Sequence, residues 1–343
     1  MSLAAPSIAV PAPGWLRGRH FDLWLICGLT LMALAAGLAI AFEPLLLGPI
    51  LLIDTWLLGY PHVAATFVRM APDRIGLRTH RFLIFVLPFL VIAATAALTL
   101  AFGIGLVATI YFYWQWYHTL RQSWGVAQLY RRRSAVPVRE NPFLAEGLFA
   151  LVALWGLLHR LTTAPDHFIY PTLPLSLPYV PVWFADGVGV LAIAGLVWWA
   201  VQRVRDYLAG ELPLAHTLFS ASHYLIFIVG YVVMDDIAGG WIVTNLWHTA
   251  QYLMLVWLFN ENAKAKSEGG WFFRATSGNR ALSYFLICAL AAFPVYYAVN
   301  AMFALGAAGL IAAVIANQTL NFHHFISDAV IWRARRKPAG APA

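Results

Sequence analysis

Apolar residues run in blocks of about 20 along this chain, and short polar segments separate them. Blocks of that length suit a hydrocarbon layer roughly 30 Å thick, crossed by a helix that rises 1.5 Å per residue. Ten such blocks occur, at residues 22–42, 45–69, 82–103, 104–130, 143–160, 183–203, 215–237, 239–259, 281–303 and 305–332. The pattern predicts an all-α fold, a polytopic transmembrane helix bundle of about ten spans. Residues 1–21 then form a cytoplasmic N-terminal tail, 22–333 a single transmembrane domain, and 334–343 a basic cytoplasmic C-terminal tail.

The positive-inside rule supplies an independent test of this count, because Lys and Arg concentrate in cytoplasmic loops. With the N-terminus inside and every block crossing, the inside segments collect 20 of the 22 basic residues. They are Arg17 and Arg19; Arg69, Arg74, Arg78 and Arg81; Arg131, Arg132, Arg133 and Arg139. Arg203 and Arg205 follow, then Lys264, Lys266, Arg274 and Arg280, and finally Arg333, Arg335, Arg336 and Lys337. Only Arg160 falls outside, and Arg121 lies within a block. One block miscounted would scatter the later charges over both sides, so ten spans with N- and C-termini cytoplasmic is the expected topology. The long outside segment, 161–182, is proline-rich and is expected to lie over the outer surface or re-enter partway. The polar inside loop 260–280 has room for a short surface helix.

Composition agrees. The chain of 343 residues is 61% hydrophobic and 11% charged, against about 25% charged in a soluble domain. That excludes an ordinary cytosolic enzyme and a disordered chain. The formal charge of +7 sits in short loops and not in a stripe, so nucleic acid is not an expected partner. The N-terminal stretch has no basic region ahead of its apolar residues and reads as a tail, not a cleaved signal. Cys27 and Cys288 lie singly in apolar blocks, which leaves no thiolate metal site or disulfide framework. No Walker A loop, dinucleotide fingerprint, HExxH or G-x-S-x-G element occurs, so nucleotide-driven pumping, zincin chemistry and serine hydrolysis have no sequence support.

Ionisable groups inside a bilayer are expensive and mark function by default. Of eleven histidines, His62, His118, His223, His248, His323 and His324 lie within the apolar blocks. Counted along their helices, they fall roughly 10–20 Å from the cytoplasmic boundary. Imidazoles from five distant helices thus share one slab of the membrane. Neutral histidine ligates zinc, copper and iron, which makes these six the candidate metal ligands. Gln122, Gln251 and Asp328 follow His118, His248 and His324 by three or four residues and share their helix faces, the spacing of groups that orient a ligand. Asp54 lies eight residues before His62 as a distant carboxylate ligand or proton acceptor. Arg121 is a clamp for an anionic head, or a cation paired with Asp54 or Asp328. The alternative for every histidine is interhelical hydrogen bonding. The aromatic run Tyr111 to His118 either packs the core or lines a cavity for an apolar substrate. Asp235 and Asp236 read as a solvated outer cap.

Two local likenesses bear on the chemistry. The slab, with the His–His pair in Asn321–His324, is similar to membrane-integral iron desaturases and hydroxylases of lipid chains, whose histidine boxes sit in cytosolic segments. LGYPH, Leu58 to His62, resembles the Gly-x-Pro-His element of bacterial carotene-cleaving membrane oxygenases over five residues. Both imply metal-bound dioxygen and a greasy substrate. The expected function is a membrane metal-dependent oxidoreductase or oxygenase with one or two non-haem iron ions, acting on a lipid-like or isoprenoid substrate, with an electron donor as a possible partner. Its expected location is the bacterial inner membrane, with membrane lipids as partners. Copper in place of iron, a haem-binding electron-transfer protein, a metal-ion or proton transporter and a structural or assembly protein are the alternatives.

Overall fold

The computed structural model describes residues 13–71, 74–167, 173–263, 275–276 and 280–332. Among them the chain is helical, with no strand element. Ten long helical stretches occupy the ten apolar blocks: α1 Arg19–Phe42, α2 Pro44–Met70, α3 Leu87–Phe102, α4 Ile104–Arg133, α5 Pro142–Thr163, α6 Val182–Leu208, α7 Leu214–Val233, α8 Ile237–Ala263, α9 Ala281–Met302 and α10 Gly306–Ile331. Two short helices, Arg74–Thr79 and Arg81–Phe85, lead from α2 into α3.

Six helical segments among the described residues are long and apolar enough to cross a membrane, one of them, Ala281–Ile331, containing both α9 and α10. The distribution of side chains agrees with a lipid surround. Phe42, Phe89, Leu100, Trp183, Leu208 and Leu290 are largely exposed, whereas Asp54, Thr66, His223, Gln251 and Ser327 are buried. This inverts the arrangement of a water-soluble protein, in which polar groups take the surface. α8 is buried on every side: from Ile237 to Asn260 only Met254 and Phe259 are not fully enclosed. Its polar residues therefore face protein and not lipid.

Local chemistry sets the helix ends. Asn141 caps α5 by accepting from the Phe143 and Leu144 backbone N–H groups, with Pro142 at the first helical position. Glu43 accepts from the Leu45 N–H ahead of Pro44, separating α1 from α2. Gly103, at φ 83, turns the chain between α3 and α4, a conformation other residues rarely adopt.

The chain forms two compact units, and their boundaries cut through α2, α4 and α8. In the unit made of 1–52, 119–169 and 177–251, α6 packs on α5, α5 on α7, and α7 on α1. α7 and α8 approach so closely that a Cβ on Gly240 would lie 1.9 Å from the Gly230 carbonyl oxygen, the small-residue contact characteristic of membrane helices. Arg160, the one basic residue on the outer side of the expected topology, is buried here. Its guanidinium donates to the Asp235 carbonyl at 2.8 Å and the Gly230 carbonyl at 3.4 Å, taking up acceptors that the end of α7 leaves open. Asp236 accepts from the Gly239 N–H, so this carboxylate caps the start of α8. Near the other end, Arg203 pairs with Glu140 at 3.0 Å and Asp206 at 2.9 Å, and Trp199 donates to Glu140. Burial pushes the Glu140 carboxyl up from its ordinary value, against the pull of Arg203.

In the unit made of 53–118, 170–176 and 252–343, α9 packs on α2, and α10 on α2, α3 and α9. Its apolar centre includes Met70, Leu87, Val91, Val107, Phe322 and Phe325. Pro174 lies against Gly105, and the Ser176 N–H donates to Thr109. Part of the proline-rich segment 161–182 thus rests on the start of α4. The surface helix expected within 260–280 falls mostly outside the described residues, as do the basic C-terminal tail and the first twelve residues.

Candidate metal centre

Pro61 sits in the middle of α2, where it has no N–H to donate and its ring crowds the carbonyl four residues earlier. The helix absorbs this by widening into a π segment, Asp54–Gly59, before resuming α geometry at Tyr60–Met70. Such segments often occur at functional sites. Beyond it, Val63 and Ala64 pack on Ala292 and Tyr296 of α9. His62 and Thr66, one turn apart, join a separate polar group with residues from α8 and α10.

The ring nitrogens His62 Nε2 and His324 Nε2 face each other at 2.8 Å. The His118 ring lies edge-on to the His324 ring, with centroids 4.9 Å apart, and 4.5 Å from the Phe325 ring. Asp328, one turn after His324 on α10, places Oδ2 3.8 Å from His324 Nε2 and 3.9 Å from His118 Nε2. Its other oxygen, Oδ1, accepts from the Tyr252 hydroxyl at 2.6 Å and the Thr66 hydroxyl at 3.1 Å. Thr66 Oγ1 also lies 2.6 Å from His324 Nδ1 and 2.8 Å from the Tyr252 hydroxyl. All these side chains are buried.

His248 is carried one turn before Tyr252 on the unbroken helix α8. With it, His62, His118, His248 and His324 each offer a ligand atom, and the four atoms all lie within 4.8 Å of one another. Four imidazole nitrogens about 2.0–2.1 Å from one ion stand roughly 3–4 Å apart. The separations among the four atoms, at most 4.8 Å, are close to that spacing.

The remaining candidates lie elsewhere. His323, 100° around α10 from its neighbour, stacks on Phe67 at 4.8 Å and places Nε2 2.6 Å from the Leu83 carbonyl oxygen. His223 places Nδ1 2.8 Å from Ser123 Oγ and Nε2 3.2 Å from the Phe149 carbonyl oxygen, stacked on the Phe149 ring. Both its ring nitrogens are engaged by protein, and it lies outside the group of four histidines. Arg121 is half exposed and pairs with Glu146. Asp54 is buried at the start of the π segment, outside the group of four histidines. Gln122 donates to the His248 backbone carbonyl at 3.1 Å and to Gln251 Oε1 at 3.5 Å, holding α8 at the height of His248. The aromatic run before His118 packs on α10, with Trp114 stacked on Phe322.

Sequence reasoning missed Thr66 and Tyr252. A signal for both was present. His62, His118, His248 and His324 are followed four residues later by Thr66, Gln122, Tyr252 and Asp328. Each of the four imidazoles thus has a polar residue one turn on along the same helix face. His223, on an apolar stretch, has Phe227 at that position, and His323 has Ser327. Comparison with protein-family models, curated proteins and solved structures finds no match for this chain.

Proposed function

We propose that this protein is a ten-span membrane metalloenzyme with both termini cytoplasmic. Non-haem iron would be held by His62, His118, His248 and His324, and would act on a lipid-like or isoprenoid substrate. The observation that carries the reading is the convergence of four buried imidazoles within 4.8 Å. Imidazoles alone suit iron, copper, zinc or nickel. Iron is preferred because a redox metal gives such a site dioxygen chemistry, and a lipid-facing surface gives it greasy substrates. Copper is the alternative metal. A haem fits less well, since four ligand atoms converging on one centre occupy positions that a porphyrin ring requires.

The metal, when bound, supplies dioxygen activation. The chain supplies the rest. Four neutral donors leave the ion's charge uncompensated in a low-dielectric interior, and the Asp328 carboxylate stands beside them to offset it. Burial keeps bulk water from the centre. If both oxygen atoms enter the product, no outside electrons are needed. Insertion of one atom requires two electrons from a donor outside this chain. A bacterial inner membrane is the proposed location, on the strength of the charge asymmetry of the loops.

The test is elemental analysis of detergent-purified protein, with an absorption spectrum of the same sample. Wild type should carry stoichiometric iron without a Soret band. Alanine in place of His62, His118, His248 or His324 should each abolish retention while the protein stays folded. A Soret band would favour the haem reading. Absence of metal after purification without chelator would overturn the enzyme reading and favour transport or structure.

A further inference from the structure

The hydrogen bonds around Thr66 contain more contacts than protons, and the shortage fixes the state of a ligand. Thr66 Oγ1 has three polar neighbours: His324 Nδ1 at 2.6 Å, Tyr252 Oη at 2.8 Å and Asp328 Oδ1 at 3.1 Å. It owns one proton. Tyr252 also owns one, and spends it on Asp328 Oδ1 at 2.6 Å. Suppose Thr66 gave its proton to His324 Nδ1. Its oxygen and Asp328 Oδ1 would then face each other as two acceptors in a buried site, which is costly. Suppose instead that His324 Nδ1–H donates to Thr66. The Thr66 hydroxyl is then free to donate onward toward Asp328 Oδ1, and three of the four contacts have a donor and an acceptor. Only Thr66–Tyr252 has no proton, whereas the first arrangement leaves both Thr66–Tyr252 and Thr66–Asp328 without one. Oδ1 accepts in this arrangement whether or not Oδ2 carries a proton.

From this count we infer that Thr66, backed by Asp328 and Tyr252, is a positioning residue that locks His324 as the Nδ1–H tautomer. The lone pair of His324 is thereby fixed on Nε2, the atom that faces His62 at 2.8 Å and the four-histidine centre. In this arrangement the 2.8 Å contact calls for a proton on His62 Nε2, which that lone pair accepts. The inference builds on the metal reading above, which gives the fixed lone pair its use. It assigns to Thr66 a role that lies outside the set of histidines and carboxylates. Metal-binding imidazoles are commonly held this way through their far nitrogen.

Two measurements test it. The first uses metal-free full-length protein with 15N-labelled histidine and 13C-labelled threonine, studied by solid-state NMR in lipid. The His324 ring, assigned through its proximity to the Thr66 methyl, should show a directly bonded proton on Nδ1 and none on Nε2. A proton found on Nε2 instead overturns the proposal. The second titrates metal-free protein with cobalt(II) against a competing chelator. Thr66→Val keeps the side-chain shape and removes the hydroxyl, and should bind about 10–100-fold more weakly. Thr66→Ser should bind within about threefold of wild type, a rescue that a mere packing role would not give. Equal affinity in Thr66→Val and wild type overturns the proposal. If wild type binds no metal at all, the enzyme reading falls, and the NMR result on wild type still decides the tautomer.

Discussion

Asp328→Asn changes one charge at the site and little of its shape. Asparagine keeps a carbonyl oxygen where Oδ1 accepts from Tyr252 and Thr66, so the surrounding hydroxyls stay satisfied. The Oδ2 position becomes an NH2 group, 3.8 Å from His324 Nε2 and 3.9 Å from His118 Nε2 in the native geometry. It then points donors at the lone pairs a cation needs. Two unit charges about 4 Å apart interact by about 4 kcal/mol at an effective dielectric near 20, and a divalent ion doubles this to about 8 kcal/mol. That figure is a ceiling, because the neighbouring side chains relax. Losses of 10–100-fold on removing a group that supports a metal ligand, about 1.4–2.8 kcal/mol, set the floor. Asp328→Asn should therefore bind cobalt(II) at least tenfold more weakly than wild type, while its tryptophan-fluorescence melting temperature in the metal-free state stays close to native. The assay is a chelator competition read by cobalt absorption. An affinity within threefold of wild type would refute the placement of this carboxylate beside the ion.

His223→Ala should behave in the opposite way. The ring is fully buried, stacks on Phe149 and bonds Ser123 and a carbonyl, so its loss should lower stability by about 2–4 kcal/mol with metal content unchanged. Thermal melts and elemental analysis of one preparation separate the two effects. For topology, single cysteines placed at Pro165 and at Lys266 in a Cys27→Ser, Cys288→Ser background should react with an impermeant maleimide from opposite sides. Labelling of both from the same side would remove a span from the count.

The fold was legible because solvation leaves little freedom. A block such as 104–130 must satisfy its backbone internally in lipid, and the helix found there runs Ile104–Arg133. The expected block 305–332 is the helix Gly306–Ile331. The π segment before Pro61 was less legible, since hydropathy records how apolar a stretch is and not how it winds. The depth argument placed six histidines in one slab, but depth is one coordinate of three. The rotation of His223 toward Phe149, and of His323 toward the Leu83 carbonyl, depends on which helices are neighbours, and one sequence does not encode that directly. The i, i+4 spacing carried part of the missing information. It singles out Gln122 and Asp328; Thr66 and Tyr252 stand at the same spacing, but hydroxyl side chains are common in membrane helices and carry less signal.

The three residues between α7 and α8, Met234 to Asp236, bear on how the chain is made. α8 is not among the segments apolar enough to cross on their own criteria; Asn245, His248, Thr249 and Gln251 each add to the cost of leaving water. α7 is apolar, and its backbone meets that of α8 with no room for a methyl group at Gly240. A translocon releasing α8 alone into lipid would expose unsatisfied amides and an imidazole. Released as the second arm of a tight hairpin, α8 arrives with one face already covered.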